Sequence, residues 1–275
     1  MKSAFSKTKA VGGRDPNMTG RDVKTKAHKA LLTVDVLTLF PAWFEGPFST
    51  SLLKRAVEKG LLDLRVHDIR AWSRDKHHKT DDIPYGGGAG MVMQSEPLEA
   101  CLKAIKGRRR AKVYYLSPQG RPFTNDMAVR LAGEKAFILL CGHYEGIDER
   151  VLQSRVDEEI SLGDFVLTGG EPAAAAVVDA TARMIPGVVG RQESVVRDSF
   201  YDGLLDYPHY TRPRVFRGME VPEVLLSGDH RKIERWRRRE ALRATLIKRP
   251  DLLETAVLKE EDRKVLQELE KETKS

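Results

Sequence analysis

The chain of 275 residues, 41% hydrophobic and 32% charged, is long enough to bury one large core and one small one, and its balance excludes a wholly disordered or fibrous polypeptide. No apolar stretch approaches the roughly 18 residues that cross a bilayer, and the basic N-terminus lacks the apolar centre of a secretory signal, so a cytoplasmic protein without membrane contact is expected. Cys101 and Cys141 stand alone, outside any spacing of a zinc site, which suggests two reduced thiols and no metal ligation.

The net charge of +7 is unevenly spread. Residues 1–30 carry eight Lys/Arg against two Asp with hardly a large apolar side chain, which reads as a flexible basic extension, either without a role or drawing in an acidic partner. From Leu31 the hydrophobic period changes, and β-rich runs alternate with helical ones. Strands are expected at Leu31–Leu39, Leu61–Val66, Lys112–Leu116, Ala136–Cys141 and Val156–Ile160. Helices are expected at Ser49–Lys59, Glu96–Ile105, Asn125–Gly133, Asp148–Ser154 and Pro172–Met184. Pro97 and Pro172 fall in first turns, where a missing amide hydrogen costs nothing. This order predicts an α/β domain over residues 31–189, a parallel sheet with helices on both faces.

After Pro186-Gly187 the alternation fails, and residues 190–201 read as an interdomain linker. Residues 202–275 read as a small all-α domain, with Asp229 capping a helix over Arg231–Lys248, a break at Pro250 and a charged helix from about Glu254. Nine Lys/Arg against three acids occupy residues 229–250. Such density fits a phosphate backbone; a solvated helix paired with Glu234 and Glu240 is the bland account.

Three loops rich in glycine follow three of the strands: Ser117-Pro118-Gln119-Gly120, Cys141-Gly142-His143-Tyr144-Glu145-Gly146, and Ser161-Leu162-Gly163-Asp164 running to Thr168-Gly169-Gly170-Glu171. Ligands of parallel α/β sheets bind outside the carboxyl ends of strands, so these loops are expected to converge on one pocket. Ordinary turn chemistry explains any one of them alone. The absence of GxxxxGK[ST], and of GxGxxG after the first strand, disfavours triphosphate and dinucleotide sites; backbone amides and carbonyls of glycine loops could instead read an adenine edge and a ribose, which suggests an adenosine-bearing cofactor. A fourth cluster, Asp81-Asp82-Ile83-Pro84-Tyr85-Gly86-Gly87-Gly88-Ala89-Gly90, follows the charged stretch from Arg74 to Lys79 rather than a strand and reads either as a mobile substrate loop or as an idle one. Asp81 and Asp82 are adjacent acids and weak metal candidates. Arg183, in an otherwise apolar helix, faces a carboxylate or an anionic ligand, or else snorkels to the surface. Asp198 lies where an acid is usually just solvated. His209, between Tyr207 and Tyr210 and near Arg212, suits stacking and phosphate contact on RNA, or a rigid turn bounded by prolines.

Taken in order, DDIPYGGGAGMVM from Asp81, YLSPQGRPF from Tyr115, CGHYEGIDER from Cys141, EISLGDFVLTGGE from Glu159, IPGVVG from Ile185, DSF from Asp198, LLDYPHYTRP from Leu204 and VLLSGDH from Val224 closely resemble one family. It is the bacterial tRNA (guanine-N1)-methyltransferases of the knotted SPOUT class, which modify guanosine 37. The resemblance spans about residues 31–255. It implies a deep trefoil knot that holds S-adenosylmethionine through Tyr115, Leu116, Ser117, Pro118, Gly142, Tyr144, Leu162, Gly163, Asp164, Phe165, Val166, Leu167, Gly169 and Gly170. By the same match Asp198 is the general base, Arg183 stabilises charge on guanine O6, and Glu145 holds the cofactor or orients Arg183. Contacts to tRNA are implied at Ser194, His209, Tyr210 and Arg212. A homodimer is implied, with tRNA and not DNA as partner, while a magnesium requirement stays open. The alternatives are a non-catalytic RNA-binding protein with a vestigial knot and a knotted methyltransferase of ribosomal RNA. Two places depart from the family pattern: Pro172 stands one position early, and Val195-Val196-Arg197 makes the approach to Asp198 more apolar and basic.

Overall fold

Runs of branched and aromatic residues, buried almost continuously along Leu32–Thr38 and Ala136–Cys141, build the sheet. In the computed structural model, which describes residues 30–107, 110–190 and 198–274, five parallel strands are ordered β2-β1-β6-β5-β7. They are β1 (Leu32–Thr38), β2 (Leu62–Asp68), β5 (Lys112–Pro122), β6 (Ala136–Cys141) and β7 (Glu158–Ser161). Between β2 and β5 lies a short antiparallel ribbon of β3 (Asp81–Asp82) and β4 (Val92–Met93).

Parity along each strand divides the core in two. Leu32, Val34 and Val36 of β1, Tyr114 and Leu116 of β5, and Phe137 and Leu139 of β6 point to one face. There they meet α1 (Ser51–Glu58), α3 (Asn125–Ala132) and α5 (Glu171–Met184). Leu37, Val113, Tyr115, Ile138 and Leu140 point to the other, against α2 (Ser95–Lys106) and α4 (Glu149–Arg155). Both faces being covered explains why the strands read as nearly continuous apolar runs.

The chain divides between Gly190 and Arg191 into two units. The second contains a ribbon of β8 (Val215–Phe216) and β9 (Met219–Glu220), then α6 (Glu223–Leu226), α7 (His230–Lys248) and α8 (Glu260–Lys274). Leu204, Leu242, Leu266 and Leu269 form its core, and Asp229 caps α7 by accepting from the amides of Arg231 and Lys232.

Several expectations need correction. Reading the second unit as all-helical missed the β8–β9 ribbon, whose two-residue strands are too short for a period to show. The terminal helix starts at Glu260 rather than near Glu254, because Pro250–Glu254 forms a 3-10 turn. β5 runs past Leu116 to Pro122, since residues 117–120 loop out and Arg121 returns to pair with Ile160 of β7. Gly120 permits that return: a Cβ there would lie 2.4 Å from the Ile160 amide nitrogen. β7 begins at Glu158 because Val156 still closes α4, its amide bonded to Leu152 O. The extension through residue 29, and Ser194 and Arg197 of the expected linker, lie outside the described residues.

Candidate active site

Because β6, β5 and β7 are neighbours, the loops leaving their carboxyl ends meet, as the rule for parallel sheets requires. They enclose a cleft of about 520 Å³. Of the fourteen residues implied for the cofactor, thirteen line this cleft, from Tyr115 and Leu116 to Gly169 and Gly170. The exception is Asp164, which is exposed and is not among the lining residues. Glu145 lines it, whereas Arg183 and Asp198 do not. Gln119, His143, Glu149 and Glu159 also line it; their signal was membership of the quoted strings, overlooked in favour of the glycines.

The glycines allow close approach of the loops. A Cβ at Gly142 would stand 2.6 Å from the Tyr115 hydroxyl, and one at Gly170 would stand 2.7 Å from Cys141 Cα. The Gly170 amide donates to Gly142 O at 3.0 Å, which ties the loop after β7 to the loop after β6. Between those glycines Tyr144 adopts φ 61°, a left-handed conformation costing a non-glycine residue about 1 kcal/mol. Strain of this kind collects at functional sites.

The electrostatics are distinctive: Glu145, Glu149 and Glu159 line the cleft, and among the described residues no lysine or arginine does. Burial first, then Glu159, pushes the Tyr115 hydroxyl up to about 12, so it stays protonated. The Cys141 thiol is pushed well above its ordinary value by complete burial and then by Glu171, which removes it as a nucleophile. His143 Nε2 lies 2.7 Å from Glu171 Oε2, and Thr38 Oγ1 donates to the other carboxylate oxygen. No cluster of three or more His, Cys, Asp or Glu side chains able to hold a metal occurs among the described residues.

The fourth glycine cluster, read as a loop outside any strand, instead opens with β3 and runs to β4, a ribbon too short for a period to show, and it is anchored beside the cleft. The Met93 amide donates to Gly146 O at 3.0 Å, and the Glu145 amide to Met91 O at 3.0 Å. Gly90 lies so close to Glu145 that a Cβ would be 2.3 Å from its Oε1. At the same time Ile83 and Tyr85 stand out into solvent, 71% and 101% exposed.

Compared with known proteins, residues 32–255 match the family model described as tRNA (Guanine-1)-methyltransferase TrmD. The chain belongs to this family. Relatives bearing the name tRNA (guanine-N(1)-)-methyltransferase include one from Geobacter metallireducens, 59% identical over 237 residues, 86% of this chain and 97% of the relative. One from Geotalea uraniireducens is 57% identical over 238 residues, 86% and 96% of the two chains. Another from Desulforamulus reducens is 55% identical over 242 residues, covering 87% and 95%.

In this TrmD-family chain the remaining implied residues fall as follows. Arg183 is half-buried in the last turn of α5. Asp198 is half-buried and begins a turn in which its carbonyl accepts from the Tyr201 amide. His209 Nε2 lies 2.9 Å from Asp206 Oδ2, its ring 4.7 Å from Tyr207, and the Arg237 guanidinium sits 5.1 Å over Tyr207. Tyr210 approaches Trp236 at 6.2 Å, and Arg212 is exposed.

For the arginines of α7 the sequence left two readings, a phosphate backbone and pairing with Glu234 and Glu240, and several of them do meet acids within their own unit. Arg238 makes a two-pronged contact with Asp262 at 2.9 and 2.8 Å and also holds Asp202. Arg239 pairs with Glu268 and Glu272, Arg243 with Glu272, and Arg237 with Glu234. Acids of α8, beyond the family match, thus supply much of the counter-charge.

Proposed function

We propose that the protein transfers a methyl group from S-adenosylmethionine to N1 of guanosine 37 in tRNA. The observation that carries the donor's identity is the charge of the cleft: three carboxylates and neither lysine nor arginine among the described residues that line it. A nucleotide phosphate would meet repulsion there, whereas a sulfonium and an ammonium are favoured. The size falls within the range of small-molecule sites, and glycine loops offer backbone amides and carbonyls for an adenine and a ribose. When bound, the donor supplies a methyl already activated by positive sulfur.

The chain's own residues then align and deprotonate. N1 of guanine carries a proton at neutral pH, and the Asp198 carboxylate accepts it as the new N–C bond forms. Charge grows on O6 as that proton leaves, and the Arg183 guanidinium stabilises it. Glu145 steadies the donor or orients Arg183. His209, Tyr210, Arg212 and Ser194 contact tRNA; the ring contacts of Tyr207, His209, Tyr210 and Trp236 support stacking on unpaired bases.

The same reading includes a knot and a homodimer in which Asp198 of one subunit serves the donor of the other. Two features support the knot. Residues 117–122 leave β5 and return to β7, while the chain leaving β7 must cross the end of β5 to bring Gly170 to Gly142. For the dimer, Phe165, Val166 and Leu167 beside the cleft are 53%, 84% and 38% exposed, an apolar surface that a second copy would cover.

The decisive assay measures methyl transfer to tRNA transcripts with guanosine or adenosine at position 37. Transfer to the first alone is expected. Absence of transfer to both overturns the proposal, and transfer to ribosomal RNA instead establishes the runner-up.

A further inference from the structure

Behind the cleft lies a polar group that the reaction outlined above does not use. Glu171, at the first position of α5, is only 2% exposed, and Thr38 at the end of β1 is fully buried. Thr38 Oγ1 accepts from the Phe40 amide at 2.9 Å and donates to Glu171 Oε1. Glu171 Oε2 lies 2.7 Å from His143 Nε2, a contact in which an ionised carboxylate can only accept. The far side of the imidazole is held by the Phe40 ring, 4.7 Å away edge-on. Three separate segments therefore end on one carboxylate: β1, the loop after β6, and the entry to α5.

The geometry around this carboxylate is built to admit it. A Cβ at Gly169 would lie 2.3 Å from the His143 ring and 2.6 Å from Glu171 Oε2, so the missing side chain makes room for the pair. Beside it runs the Gly170 amide to Gly142 carbonyl bond at 3.0 Å. His143, together with Gly142 and Tyr144 on one side and Gly169 and Gly170 on the other, belongs to the wall of the cleft. A charge-assisted bond at this place fixes the spacing of two walls before any ligand arrives.

We propose that His143 and Glu171, with Thr38 behind them, form a positioning pair that preorganises the donor pocket and so sets affinity for the cofactor rather than the rate of methyl transfer. The inference rests on the reading of the cleft as an S-adenosylmethionine site. A merely structural pair would affect folding stability alone, and a catalytic one would lower kcat.

The test uses the full-length chain in two measurements, calorimetric titration with S-adenosylmethionine and steady-state methyl transfer to tRNA. His143→Phe keeps a flat ring without a donor, and His143→Gln restores an N–H of similar reach. His143→Phe is expected to weaken binding and raise KM for the donor at least tenfold with kcat within threefold, and His143→Gln to recover most of the loss. Thr38→Val, which loosens the carboxylate from behind, is expected to raise KM by a smaller factor. Unchanged affinity in folded His143→Phe, an equal loss with His143→Gln, or a fall in kcat at constant KM overturns the proposal. Should His143→Phe not fold, His143→Gln and Thr38→Val decide it by the same split. Failure of the unmodified chain to bind the donor would instead sink the underlying reading of the cleft.

Discussion

At the scale of single residues, site chemistry separates into groups that hold and groups that react. Asp198→Asn keeps the size of the side chain but cannot accept the N1 proton, so methyl transfer is expected to fall at least 100-fold, within the span of general-base effects. Donor affinity measured by calorimetry should stay within about twofold. Equal loss of both would give Asp198 a structural task. Glu159 acts through charge, and Glu159→Gln should weaken binding of the cationic donor severalfold, on the order of 1 kcal/mol, while sparing an uncharged thioether analogue; calorimetry with both ligands checks this. Much at this scale was legible in the strings around Gly142 and Gly169, because close loop approach demands glycine. Tyr144 in a left-handed conformation and the Thr38–Glu171–His143 chain were not. Their partners come from segments far apart in sequence, and no local spacing announces them.

Among elements, the parallel sheet followed from the alternation of strand-like and helical runs, whereas the partners of the α7 arginines did not follow from their charge. Counting arginines in Arg231–Lys248 reveals density but not direction, and three of the acids that meet them, Asp262, Glu268 and Glu272, stand on another helix. Asp262 is 4% exposed and accepts both prongs of Arg238, which holds its carboxyl below the usual carboxylate range. A depressed native value means that the unfolded chain binds the proton more readily. The pair's contribution is therefore complete above the unfolded value near 4 and fades as pH falls through the lower folded value. Asp262→Asn should cost about 2 kcal/mol at neutral pH, less than the loss on breaking a fully buried pair because Arg238 is 32% exposed and keeps Asp202. It should also flatten the decline of stability below about pH 4; urea titrations of both chains across that range would show parallel slopes if the pair had no such role. The β8–β9 ribbon and the outward loop of β5 escaped the sequence for another reason: two-residue strands carry no period, and a bulge is visible only when its partner strand is known.

For the whole molecule, the proposed sharing of the reaction centre between copies has a direct test. Gly142→Val places a branched side chain against Tyr115 and should abolish donor binding. Mixed with Asp198→Asn chains and allowed to exchange subunits, it should regain transfer at one centre per mixed dimer. No recovery in mixed dimers verified by mass would refute the shared arrangement. Among the described residues, those lining the cleft fall between Tyr115 and Ala173, within the first of the two units. Heat should then reveal a division of labour that ligand titration alone conceals. Saturation with donor at 100 times its dissociation constant adds roughly 2.7 kcal/mol to whichever cooperative block contains the binding groups. In scanning calorimetry, a single endotherm should migrate upward while the one belonging to the helical segment after Arg191 keeps its temperature, so that the two halves report their fates separately.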